Sequence, residues 1–230
     1  MSQYVFEPAA RPAVPIEGEA ALFPVRRIIC VGANYGAQAR GPGDPIAEGT
    51  EPAFFFAKPA DAVVPPGRDP HYPSATELLH HEVELVIAIG ASGADVPVEK
   101  ALDLVFGYAV GVDMTRRDLQ RAAVAIKRPW DAAKGFDDAA PISAIRRWSG
   151  APPLGRIWLD VGGETRQDGT LDHMNRNVAE VICEISKLWR LEPGDLIYSG
   201  SSPPSSGPLE RGERVVCGVE GVGKLEFTVR

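Results

Sequence analysis

The chain has 230 residues, a net charge of −7 and many turn-formers, with 24 glycines and 21 prolines. Its length allows a sizeable core, and its excess of acid argues against nucleic acid or an anionic membrane surface as partner. Cys30, Cys183 and Cys217 are odd in number and lack metal-ligand spacing, which fits reduced thiols in a cytoplasmic protein, and no apolar run approaches the ~18 residues of a membrane span.

In chain order, residues 1–24 are Pro-rich and read as an extended arm, with one compact domain over 25–230. "VRRIICVGANY" is a short strand running into a Gly-containing turn. Residues 40–52 mix Gly, Pro and charge without periodicity, as in a mobile loop that orders over bound substrate. "AFFFAKPADAVVPP" reads as a buried strand entering a turn. "HHEVELVIAIG", His80 to Gly90, reads as a strand, "PVEKALDLVF" as one short helix, and "GYAVGVDM" as a further strand. In "TRRDLQRAAVAIKRP", Thr115 and Asp118 resemble a capping box, so a helix is expected from about residue 116 to just before Pro129.

The second half reads mainly as strands. "RIWLDVGGETRQDG" predicts strand, turn and strand with the bend at Gly162–Gly163. In "NVAEVICEISKLWRLEPGD", Val178, Val181, Ile182, Ile185 and Leu188 recur at helical spacing, with Pro193–Gly194 after the end. A strand, a Ser/Pro loop and two terminal strands follow. This irregular order predicts an α+β fold, predominantly β.

Alternation along residues 80–90 puts Val83, Leu85, Ile87 and Ile89 on one face and Glu82 and Glu84 on the other. Two carboxylates so placed repel, and partial burial makes this worse. A solvated face, neutralisation by Arg or Lys, or chance would each account for them. Asp113, at the end of "GYAVGVD", adds a third carboxylate, although Asp at a strand end also caps turns. Together the three form an all-oxygen set suited to Mg²⁺ or Mn²⁺ with several waters. Ca²⁺ suits it less, without a Gly-centred Asp-rich loop. His80 and His81 point to opposite faces, so at most one looks into such a site, and a surface role suits both.

"EVELVIAIG", "VFGYAVGVDMTRRDLQ" and "AKGFDDAAPIS", with "FFFAKPADAVV" and "LEPGDLIYSG", resemble the fumarylacetoacetate hydrolase family from "VRRIICVGANY" onward. The opening residues are similar to its fumarylpyruvate hydrolase branch. The resemblance implies a mixed β-sheet roll with a few short helices, a homodimer, and Mg²⁺ or Mn²⁺ on Glu82, Glu84 and Asp113. It implies small anionic 2-oxo acids as substrates, acylpyruvates among them, cleaved or decarboxylated beside a carbonyl. Gln120 matches a glutamine that helps hold substrate. Lys134 matches a lysine beside the metal, where a cation would bind the substrate carboxylate and balance enolate charge. Ser201 falls where the family offers a hydroxyl to a carboxylate, in a loop that here reads "SGSSPPSSGP" and is one residue longer.

One part departs from the family. After the first strand the family shows N-Y-x-x-H-x-x-E, whose His and Glu take a proton from water. This chain reads "NYGAQARG", with Gln38 at the His position and Gly41 at the Glu position. An amide accepts no proton near neutral pH. Three outcomes follow: a C–C hydrolase with another base, a metal-dependent enzyme that needs no activated water (decarboxylase, tautomerase or dehydratase), or a binding protein without turnover.

Overall fold

The computed structural model describes residues 4–36, 52–202 and 207–230. A six-stranded mixed sheet forms its centre. Its strands run in the order Arg146–Arg147, Val105–Val112, Val83–Ile89, Asp195–Ser201, Arg27–Gly32 and Phe54–Lys58. Asp195–Ser201 and Arg27–Gly32 are parallel, and the other neighbours are antiparallel. The strand Val83–Ile89 is buried at all seven positions. That burial explains why it is apolar on both faces, since a strand covered on both sides has no solvent face to mark with polar residues.

A four-stranded antiparallel sheet packs across two strands of the first, Val83–Ile89 and Val105–Val112. It is built from Glu164–Thr170, Arg156–Val161, Arg214–Val219 and Gly223–Thr228. Its first hairpin turns at Gly162–Gly163, as the sequence predicts. The fold is α+β and mostly sheet.

The helix Val178–Leu188 buries Val178, Val181, Ile182 and Ile185 and packs on the 3₁₀ segment Val98–Leu104. Asn177 and Glu180 close a capping box at its start. Leu188 continues the apolar spacing but is 59 % exposed, because it lies in the last turn, beyond the covered stripe.

Four local expectations need correction. The first 24 residues are not simply an extended arm: Ala13–Pro15 pairs antiparallel with Leu22–Pro24, and Val14, Ile16 and Phe23 are buried. Proline is tolerated at strand edges, where its missing N–H is not needed. The Phe-rich strand Phe54–Lys58 is not buried as a whole. It is the edge of the sheet, its rings are exposed or half-buried, and only Lys58 is fully covered. Thr115 and Asp118 form no capping box. Thr115 pairs in a strand with His80, and Asp118 accepts hydrogen bonds from Thr76 Oγ1 and the Glu77 N–H, tying down the preceding segment. The helix itself runs from Arg117 to Ala125. Finally, His80 and His81 are buried, not on the surface.

Candidate active site

The central strands bring the three carboxylates together. Glu84 lies opposite Gly111 on one neighbouring strand and Ser201 on the other. Asp113 follows the end of Val105–Val112, and its N–H donates to the Glu82 carbonyl at 2.8 Å. One ligand atom from each of Glu82, Glu84 and Asp113 lies within 4.8 Å of the others. Glu84 and Asp113 are buried, whereas Glu82 is partly open to the cavity.

Arg and Lys neutralise two of the three. Lys134 Nζ sits 2.9 Å from Glu82 Oε2 and 2.6 Å from Asp113 Oδ2. Lys58 Nζ pairs with Asp113 Oδ1 at 2.7 Å and also donates to the carbonyls of Met114 and Lys134. Arg117 pairs with Glu82 and donates to Gln120 Oε1. Burial alone would lower the Lys134 ammonium, but Asp113 and Glu82 outweigh it and hold it well above its usual value. Burial would likewise raise Asp113, and the two lysines hold it below the usual carboxylate range.

Glu84 is the exception. Its carboxylate accepts the Gly200 N–H at 2.7 Å. Gly200 adopts φ 96°, and a Cβ there would meet Asn34 Cβ at 3.0 Å, so the approach depends on glycine. Burial, then the charges of Asp113 and Glu82, push Glu84 well above the usual carboxylate range. A divalent cation bound by the three carboxylates would supply the positive charge that Glu84 lacks. The all-oxygen set fits Mg²⁺ or Mn²⁺.

A cavity of about 300 Å³ opens above this floor. Glu82, Glu84, Asp113, Lys134, Gln120 and Ser201 all line it, with Arg117, Tyr35 and aromatic residues. Six of the seven residues singled out from the sequence therefore meet at one place. The seventh, Gln38, lies outside the described residues, as do Gly41 and nearly all of the 40–52 loop.

Behind Ser201 runs a buried hydrogen-bond chain that the sequence did not announce. Gln167 Oε1 accepts the Val83 N–H at 3.0 Å and faces His81 Nδ1 at 2.8 Å. A backbone N–H can only donate, so this oxygen must face it, and His81 carries its proton on Nδ1. Gln167 Nε2 then donates to Ser201 Oγ at 2.9 Å. Burial lowers both histidines, His80 to about 4 with help from the Arg117 charge, so both are neutral near pH 7. Neither enters the set of carboxylates.

Lys58, Arg117 and Tyr35 were also not anticipated. Lys58 left a trace, as the one charge in "FFFAKP". The Tyr35 hydroxyl is buried with no hydrogen-bond partner among the described residues, and burial, then Glu84 and Asp172, keep it protonated. Among the described residues no helix is long and apolar enough to cross a membrane, and the three cysteines are free.

Comparison with known proteins agrees with this arrangement. Residues 27–230 match the family model for fumarylacetoacetate (FAA) hydrolase C-terminal. A fumarylpyruvate hydrolase of Ralstonia sp. is 39 % identical over 188 residues, covering 81 % of this chain and 97 % of that protein. A mitochondrial oxaloacetate tautomerase of Arabidopsis thaliana is 38 % identical over 205 residues, covering 88 % of this chain and 90 % of that one. The crystal structure of a fumarylpyruvate hydrolase from Pseudomonas aeruginosa, in complex with Mn²⁺ and pyruvate, superposes with a TM-score of 0.90 at 44 % identity, covering 99 % of both chains. The family match across most of the chain, on top of the shared fold, places this protein in the fumarylacetoacetate hydrolase family.

Proposed function

We propose that the protein is a metal-dependent enzyme acting on small anionic 2-oxo acids, with hydrolysis of a carbon–carbon bond in an acylpyruvate of the fumarylpyruvate type as its reaction. The supporting observation is the cavity floor, where three carboxylates and a buried Lys134 converge beside open space. Glu82, Glu84 and Asp113 would hold Mg²⁺ or Mn²⁺, which when bound acts as a Lewis acid on a 2-oxo acid.

The charges balance under this reading. The carboxylates Glu82, Glu84 and Asp113 face the cations Lys58, Lys134 and Arg117. A divalent ion adds two positive charges. A 2-oxo acid brings one carboxylate and, as it reacts, one developing negative charge on its keto oxygen, which restores neutrality in a buried place.

The chain's own groups divide the remaining work. Lys134 stays a cation, so it attracts anionic oxygen and does not take a proton. Gln120 accepts from Arg117 through its carbonyl oxygen, which leaves its amide N–H groups to donate to substrate. Ser201 offers a hydroxyl to the substrate carboxylate, with Gln167 fixing its Oγ. The free cysteines and the family resemblance support a cytoplasmic homodimer.

A second reading is favoured by one specific feature. Gln38 and Gly41 stand where the family's proton-accepting His and Glu would be, so water activation is impaired while charge stabilisation at the floor is intact. Tautomerisation or decarboxylation of a 2-oxo acid needs the floor and no activated water. A panel of acylpyruvates and oxaloacetate, with Mg²⁺ or Mn²⁺ against EDTA, separates the two. The double substitution Gln38→His with Gly41→Glu should raise hydrolysis by about 10²–10⁴-fold. Rapid hydrolysis by the unmodified chain, abolished by EDTA, would point to a base outside that pair of positions.

A further inference from the structure

Glu84 is held by a peptide group, and that group is held in turn. The Gly200 N–H that donates to Glu84 Oε2 belongs to the Ser199–Gly200 peptide. The carbonyl of the same peptide, on Ser199, accepts from Asn34 Nδ2 at 2.8 Å. Asn34 and Glu84 therefore face each other across one rigid planar group.

A slip in register puts the peptide there. Tyr198 lies opposite Val86, but Ser201, not Gly200, lies opposite Glu84, so the strand Asp195–Ser201 carries one extra residue between these pairs. Such a bulge interrupts the ladder and bends the strand. On the other side, the parallel pairing with Arg27–Gly32 stops at Tyr198 opposite Cys30. Ser199 and Gly200 thus have no register partner in either neighbouring strand. Two side chains serve them instead, Glu84 at the N–H and Asn34 at the carbonyl.

The chain reaches this point by a turn after Gly32. Ala33 adopts φ 55°, a left-handed conformation that persists at a non-glycine residue only where surrounding contacts enforce it. Asn34 makes those contacts. Its Oδ1 accepts the Arg176 N–H at 2.9 Å, and a backbone N–H can only donate, so the amide oxygen faces Arg176 and Nδ2 faces Ser199. The second Nδ2 hydrogen goes to the Arg176 carbonyl at 3.1 Å. Asn34 lines the cavity, but it is 2 % exposed and both of its amide hydrogens are engaged within the protein. It has none left to offer a substrate.

The other two carboxylates of the set are oriented by cations, Glu82 by Lys134 and Arg117, Asp113 by Lys134 and Lys58. Glu84 is oriented by the Gly200 N–H. A peptide whose carbonyl accepts a hydrogen bond is polarised into a better N–H donor.

We propose that Asn34 is a positioning residue for Glu84: it fixes the Ser199–Gly200 peptide, whose N–H sets how the Glu84 carboxylate meets a divalent cation. The proposal rests on the metal reading of the three carboxylates and goes beyond it by assigning a residue that is not itself a ligand.

The test titrates Mn²⁺ by calorimetry into the full wild-type chain and Asn34→Ala. The variant should bind about 10–100-fold more weakly, the loss expected on removing an outer partner of a metal ligand. Urea unfolding is measured alongside. In a variant more than about 99 % folded, a role confined to stability would leave the affinity almost unchanged, because affinity falls only by the fraction of competent chains. The Gly200 amide proton, followed by NMR in the metal-free chains, should move upfield in the variant as its bond to Glu84 weakens. Asn34→Ser, whose hydroxyl is one atom short of Ser199, should repeat both effects while leaving less empty space than alanine. Unchanged Mn²⁺ affinity in a folded variant, an unmoved Gly200 resonance, or failure of both variants to fold would overturn the proposal. If the wild-type chain binds no Mn²⁺, the metal reading falls as well. If it binds and Asn34→Ala binds equally tightly, the role of Asn34 alone falls.

Discussion

On the floor of the cavity, Glu82, Glu84 and Asp113 lie against Lys58, Lys134 and Arg117, whereas its wall is three aromatic rings on an edge strand and a neighbouring turn. The floor is largely buried, and its lysines each engage two or more oxygens. The wall is half-open, and its ring contacts have no such directional bonds. Changing Lys58, Lys134 or Asp113 leaves an opposite charge short of a partner in a buried place. Changing a ring alters shape and leaves no charge stranded. Charge pairing and ring packing are therefore separable properties of one cavity.

The sharpest way to break this contrast is Lys58→Met. Lys58 is fully buried against Asp113, which would keep Lys134 alone, and removing one partner of a buried pair costs up to about 3–5 kcal/mol. Urea unfolding of the metal-free protein should show a loss of that order, and a loss below about 1 kcal/mol would mean that the floor is no more tightly determined than the wall.

Metal comes next. Mn²⁺ at 100 times its dissociation constant should stabilise the fold by about 2.7 kcal/mol, and EDTA should reverse it. Thermal melting with and without chelator reads this, and an unchanged midpoint would leave the three carboxylates as a purely structural cluster.

Asn177→Ala supplies a reference away from both regions. It removes the cap whose side chain accepts the Glu180 N–H at 3.0 Å, and should cost about 1 kcal/mol. Mn²⁺ affinity should not follow that loss. A parallel fall in affinity would show that floor and fold are not independent.

The smallest effect is expected at the wall. Phe54→Ala at an exposed edge should cost about 1 kcal/mol or less in stability, even though it removes an entire ring. A cost matching that of Lys58→Met would erase the distinction between the two regions.

What the sequence revealed tracks how local each feature is. The strand with Glu82 and Glu84 is legible because alternation over a few residues fixes its faces. The hairpin at Gly162–Gly163 and the helix from Val178 are legible for the same reason. Asp113 could be added because it sits at a strand end, and the family motif then linked it to Lys134. Lys58 could not be placed, because its partners Asp113, Met114 and Lys134 are reached only once the sheet order is known. The same holds for the rings of Phe54 to Phe56, which look like core until the strand proves to be an edge. His81 looked like a surface residue because its partner Gln167 comes from a different sheet.

The central claim is that Glu82, Glu84 and Asp113 together hold a divalent cation, with Glu84 as the carboxylate that no lysine or arginine contacts among the described residues. Calorimetric titration of Mn²⁺ into the wild-type chain and Glu84→Ala tests it most directly. The wild type should bind one ion per chain, and the variant should lose more than about 100-fold in affinity, beyond what removing an outer partner of a ligand costs. Equal Mn²⁺ affinity in the two proteins would contradict the account.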